Sequence, residues 1–203
     1  MAKTGEWISK AWQLVTNNRN FWSFVLLALI YAGAMSIASA TSVGSLILAG
    51  PATASVYAVI LNLMKTGRVD FNHLQDGFKV FLPAMLAGLV INLFVGLGFI
   101  FCIIPGLVLA ALYLFPLFLI LERNMAFWDA MEESRKKVQE DLWGFVVFGL
   151  ALIGVNLLGA LACGVGLLVS SPIAMCATAI AYRELWPEEE INKLAGEPAP
   201  PQG

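Results

Sequence analysis

The chain has 203 residues, 59% of them apolar and 13% charged, where soluble domains carry about 45–50% and about 25%. Its 12 Lys and Arg against 14 Asp and Glu leave a net charge of −2, which supplies no basic face for nucleic acid. So large a charge deficit excludes an ordinary soluble surface and points to lipid as the surroundings.

The first ten residues, MAKTGEWISK, lack the apolar core and small-residue cleavage site of a signal peptide, so the apolar segment that follows is expected to be retained. In EWISKAWQLV, Trp7, Ile8, Ala11, Leu14 and Val15 share one helical face. Three blocks then contain no Asp, Glu, Lys or Arg: residues 20–64, 80–121 and 142–182, of 45, 42 and 41 residues. One transmembrane helix takes about 20 apolar residues. Each block is therefore expected to be two spans and a tight turn, at 22–40 and 44–64, 81–101 and 106–121, and 143–163 and 167–182. The second and third blocks are each preceded by a short segment with one apolar face: Phe71, Leu74 and Phe78 in DFNHLQDGF, and Phe127, Ala130, Met131, Ser134 and Val138 in AFWDAMEESRKKV. Glu132–Lys136 and Glu133–Lys137 add i, i+4 pairs to the latter. From Trp186 the chain turns acidic and then Pro-rich. Residues 1–186 are read as one domain and 187–203 as a flexible tail.

The expected fold is all-α: six transmembrane helices as three hairpins, each preceded by an amphipathic interfacial helix. A hairpin returns to the face it left, so all four charged segments share one side. They hold every Lys and Arg, and the positive-inside rule makes that side, with both termini, cytoplasmic. Trp7, Trp12, Trp22, Phe71, Phe127, Trp128 and Trp143 are the expected interfacial anchors. A shift of 121 residues lays the first block on the third, matching Trp7 with Trp128, Trp22 with Trp143 and Pro51 with Pro172. GSLILAGP, GFIFCIIP and GLLVSSP bring Pro51, Pro105 and Pro172 to corresponding places, read as three hairpin corners.

The spans hold no ionisable carboxylate, Lys, Arg or His, which argues against ion coupling and intramembrane acid–base chemistry. Asn92 and Asn156 are the most polar residues within them. They lie on stripes of small residues: Gly88 and Gly96 beside Asn92; Gly149, Ala160 and Cys163 beside Asn156. Span one answers with Ala28, Ala32, Ser36 and Ala40. The two amides either line a polar cavity or hydrogen-bond across helices that the small residues bring close. Cys102, Cys163 and Cys176 lack metal-ligand spacing; Cys102 and Cys163 are open to a disulfide or to a role as small buried side chains. His73 with Asp70 and Asp76 reads as a solvated face rather than a metal site. No catalytic set, cofactor motif or phosphate-binding loop is present, so no enzyme activity and no cofactor is expected.

The segments DGFKVFLPAMLAGLV, IIPGLVLAALYLFPLFLILE and AFWDAMEESRKKVQEDLWGFVV resemble the membrane domain of bacterial membrane-bound glycerophosphodiester phosphodiesterases and its stand-alone integral membrane relatives. The resemblance covers roughly residues 5–185. It implies a polytopic protein of the bacterial inner membrane, without the soluble metal-binding barrel that carries the phosphodiester chemistry. The expected function is that of a non-enzymatic scaffold or accessory protein engaging lipids or protein partners through its cytoplasmic face. The alternative is a channel or permease for a neutral or amphipathic solute through a cavity near Asn92 and Asn156.

Overall fold

The computed structural model describes residues 2–16, 21–39, 42–162 and 166–187, and every regular element among them is helical. In chain order these are α1 (Thr4–Thr16), α2 (Phe21–Ala38), α3 (Ser42–Thr66), α4 (Leu74–Lys79), α5 (Phe81–Phe101), α6 (Ile103–Leu112), α7 (Pro116–Arg123), α8 (Phe127–Gln139), α9 (Leu142–Leu161) and α10 (Leu167–Leu185). The expected span ends at Ala40 and Cys163, and the tail from 188 onward, lie outside the described residues.

Five stretches are long and apolar enough to cross a membrane: Phe21–Ala38, Gly44–Thr66, Phe81–Phe101, Ile103–Arg123 and Leu142–Leu161. The sixth expected span lies in α10, which is not among these five. It contains Ser170, Pro172 and Thr178, and these are buried. A helix sheathed by protein on this scale does not need the apolarity that lipid contact demands.

Burial separates two sets of helices. In α2, α5 and α9 only 17, 22 and 28% of the most apolar stretch is buried, against 56% in α3 and 44% across 103–123. Packing forms a ring: α2 on α3, α3 on α5, α5 on α6, α6 on α9, α9 on α10 and α10 back on α2. Inside it, an aromatic stack joins α3, α7 and α10. Tyr57 lies 4.0 Å from Phe118, and Phe118 lies 4.9 Å from Tyr182, centroid to centroid. Trp186, just past α10, continues the stack 5.3 Å from Tyr182.

Of the three expected proline corners, only Pro105 stands at one. Cys102 is extended and separates α5 from α6. Gly98 and Gly106 meet there, so closely that a Cβ on Gly98 would fall 2.9 Å from the Gly106 Cα. Pro105 is the third residue of α6, in the first turn, where a missing N–H removes no helical bond. Pro51 and Pro172 lie instead inside α3 and α10. The Thr53 and Ser55 hydroxyls donate back to the carbonyls of Ala49 (2.7 Å) and Pro51 (2.9 Å), contacts that bend a helix rather than end it.

The stretch expected as span four begins earlier than 106 and is broken. α6 stops at Leu112 because Pro116, four residues on, has no N–H to give the Leu112 carbonyl and opens a new helix. Ser134 of α8 repairs the break: its Oγ donates to the Leu112 carbonyl at 2.7 Å and accepts from the Phe115 N–H at 3.4 Å.

Trp7 is not an interfacial anchor. It is 2% exposed, against Phe145 and Phe148 of α9, and its Nε1 donates to Glu184 of α10 at 2.7 Å. Trp12, Trp22, Trp128 and Trp143 are exposed, while Phe71 and Phe127 are half-buried against the core. Phe78 does not share the face of Phe71 and Leu74. A 3₁₀ turn at Phe71–His73, three residues per turn, resets the phase before α4, and Phe78 points outward. Trp7→Ala is expected to lower stability by about 3–5 kcal/mol, and Trp12→Ala by less than about 0.5 kcal/mol. Thermal unfolding of the two variants in one detergent would separate core from surface indole.

Candidate functional site

The inner helices all end in charge. Lys65, Glu122 and Arg183 are each the first charged residue after one of the three charge-free blocks. They close the ends of α3, α7 and α10, and they meet. Oε1 of Glu122 accepts from Arg183 Nη2 at 2.6 Å and from Lys65 Nζ at 3.2 Å. Glu122 and Arg183 side chains are 10% and 14% exposed, whereas Lys65 is 52% exposed and stays solvated. Two cations thus converge on a carboxylate that has little contact with water.

Ion pairs and hydrogen bonds tie the remaining charged segments to this end. Lys3 Nζ lies 2.6 Å from Glu184, and the Ala2 N–H donates to Asp141 at 2.5 Å. Glu184 is held below the usual carboxylate range by Lys3 and then by Trp7. Asp141 is lowered by the Ala2 N–H, and Asp76 by Lys79 and then His73. The stability these partners lend is present at neutral pH and is lost as pH falls through the lowered values. On α8, Glu132 takes Arg135 at 2.6 Å and Lys136 at 3.7 Å, while Lys137 pairs with Glu140 rather than with Glu133.

Arg123, beside Glu122 and last in α7, is different. Its Nε and Nη2 are buried and make no hydrogen bond, and its guanidinium lies 6.0 Å from the Trp186 ring centroid. Oε2 of Glu122 and the hydroxyl of Tyr182 are also buried without a hydrogen bond. Asn124, in left-handed backbone (φ 49°), turns the chain away immediately after.

A second feature lies beyond the aromatic stack. A cavity of about 490 Å³ is lined by Tyr57 of α3, Ala111 of α6, Asn156 and Gly149 of α9, and Met175 and Thr178 of α10. The Asn156 amide donates to its own helix at Leu152 (3.1 Å), and its oxygen accepts from Ser170 of α10 at 3.2 Å. Thr178 likewise donates to Ala174. The structure does not bring the two asparagines together. Asn92 is exposed on α5 and bonds back to the Gly88 carbonyl at 2.7 Å. Gly88 instead faces Gly50 of α3, and Gly96 has open space around it. Ala32 and Ser36 of α2 are exposed, so the small-residue stripe of that helix makes no seam. Cys102 is an exposed free thiol and Cys176 is buried; Cys163 lies outside the described residues.

Sequence patterning did not single out Lys65, Glu122, Arg123 and Arg183 as a group. The signal that finds three of them is their shared place, first after each block; Arg123 has none beyond adjacency to Glu122. No family model and no solved structure matches the chain. Over 119 residues it is 30% identical to uncharacterised proteins of Mycobacterium bovis and of two strains of Mycobacterium tuberculosis. The matched region is 59% of this chain and 36% of each relative, so the chain is similar to about a third of a longer protein.

Proposed function

We propose that the chain is a multi-pass membrane protein of the bacterial inner membrane with a non-enzymatic role, a scaffold or accessory whose charged, cytoplasmic end engages lipid or protein partners. The observation that carries this is the collar of exposed indoles beside the charged segments: Trp12 (54%), Trp22 (75%), Trp128 (57%) and Trp143 (72%). Indoles of this kind settle at the headgroup level. A six-span arrangement of three hairpins, all starting from that end, is supported by the contact ring, in which each pair's second helix packs on the next pair's first: α3 on α5, α6 on α9, α10 on α2. It is supported again by α1 on α10, α4 on α3 and α8 on α7. A photo-crosslinking side chain at position 12 or 128 should capture headgroups or a neighbouring protein in native membranes, more than one at Leu157 on the exposed face of α9. Equal or absent capture at 12 and 128 would sink the proposal.

A second reading, passage of a neutral or amphipathic solute, is favoured by the 490 Å³ cavity beside Asn156. It ranks lower because the Asn156 amide and the Thr178 hydroxyl are bonded within the protein. Asn156→Leu should abolish solute flux in liposomes if this reading holds and leave it unchanged otherwise.

A further inference from the structure

The geometry of Arg123 points to a phosphate-binding site at the charged end of the bundle. We infer that its guanidinium grips two oxygens of a phosphate group, the headgroup phosphate of an anionic lipid being the source at a membrane surface. The inference rests on the proposed orientation of this end toward headgroups and names the chemistry recognised there.

Three observations converge. First, Nε and Nη2 are one edge of the guanidinium, the fork that takes two oxygens at once. Arg135 uses this edge on Glu132, at 2.8 Å and 2.6 Å, whereas in Arg123 both nitrogens are buried and unbonded. A buried donor with no acceptor costs free energy, more when it is charged, so a fork held this way favours a ligand that completes it. Second, the neighbouring carboxylate leaves the fork unbonded, its own Oε2 being buried without a hydrogen bond. Glu122 offers one oxygen to both Arg183 and Lys65. Lys65 and Arg183 thus converge on Glu122, the residue next to Arg123 in the chain. Third, Trp186 lies under the guanidinium, and it is 1% exposed. A fixed aromatic face lowers the freedom the arginine would lose on binding, and the buried Tyr182 hydroxyl supplies a further donor nearby.

The test uses the full chain in neutral detergent. Native mass spectrometry would count phosphatidylglycerol retained, and thermal shift would follow inorganic phosphate. The wild type should bind phosphatidylglycerol. Arg123→Gln should weaken that binding by at least about tenfold. Arg123→Lys should recover only part of it, because an ammonium has charge but no fork. Lys136→Gln, which removes the same charge from the exposed face of α8, should bind like the wild type. If Arg123→Gln is too unstable to purify, Arg123→Lys carries the comparison. Binding of inorganic phosphate without phosphatidylglycerol, lost in Arg123→Gln, would keep the site but overturn the lipid source and the proposed orientation. Equal retention by wild type, Arg123→Gln and Arg123→Lys would overturn the site itself, leaving the buried atoms to be satisfied internally.

Discussion

Glu122→Gln is expected to destabilise the bundle by about 3–5 kcal/mol, the cost of removing one partner from a buried ion pair. The carboxylate joins the ends of three helices, α3 through Lys65, α7 through itself and α10 through Arg183. An amide keeps the shape but not the charge. Lys65, half exposed, would turn to water at little cost; Arg183, 14% exposed, would keep its charge in a site built to neutralise it. Most of the loss is therefore assigned to Arg183. That assignment makes its own prediction. Glu122→Gln with Arg183→Met should cost less than the sum of the single changes, because the two side chains pair with each other. Reversible unfolding in mixed micelles would give the cycle. A single variant within about 1 kcal/mol of the wild type would show that the pair is solvated and that the three helix ends are held by packing alone.

Charge carried most of what was legible in the sequence. Three charge-free blocks announced apolar helices, and the faces of α1 and α8 were readable because those helices border water, where apolar and polar sides must differ. Trp7, Ala11 and Val15, and Ala130, Met131, Ser134 and Val138, are all buried as their spacing suggests. Inside the blocks this logic fails. A helix in lipid is apolar on both sides, so periodicity does not tell Phe24, buried, from Leu29, exposed. The same blindness misplaced Asn92, whose amide is satisfied by its own helix and needs no neighbour. Pro51 and Pro172 misled for another reason. In water a proline within an apolar run marks an end, whereas a packed helix in lipid accommodates it. Trp7 was ambiguous because an indole suits both the interface and a core; Glu184, 177 residues away, decides between them. The convergence of Lys65, Glu122 and Arg183 was implicit in the block pattern. The unbonded fork of Arg123 was not, since nothing local distinguishes it from any helix-ending arginine.

Gly50→Ala is the second change expected to have a large effect, and its sign is opposite to that at the open glycines of the outer helices, Gly33, Gly149 and Gly154. Adding a methyl to a helical glycine ordinarily stabilises by up to about 1 kcal/mol. Gly33, Gly149 and Gly154 should behave so, because a Cβ there meets nothing within 4 Å. At Gly50 the new carbon would strike the carbonyl of Ala84 in α5, and a Cβ on Gly88 would fall 2.8 Å from the Gly50 Cα. Both obstacles are backbone, which cannot rotate aside. The helices must part along a seam that small residues hold closed, and overpacking of this kind costs about 1–3 kcal/mol. The consequence reaches the site, because α3 carries Tyr57 into the aromatic stack and Lys65 to Glu122. Wedging α3 from α5 should thus lower both the unfolding temperature and phosphatidylglycerol retention. Gly33→Ala should raise the first and leave the second unchanged. A Gly50→Ala protein that melts at or above the wild-type temperature would show that α3 and α5 do not make the close contact described.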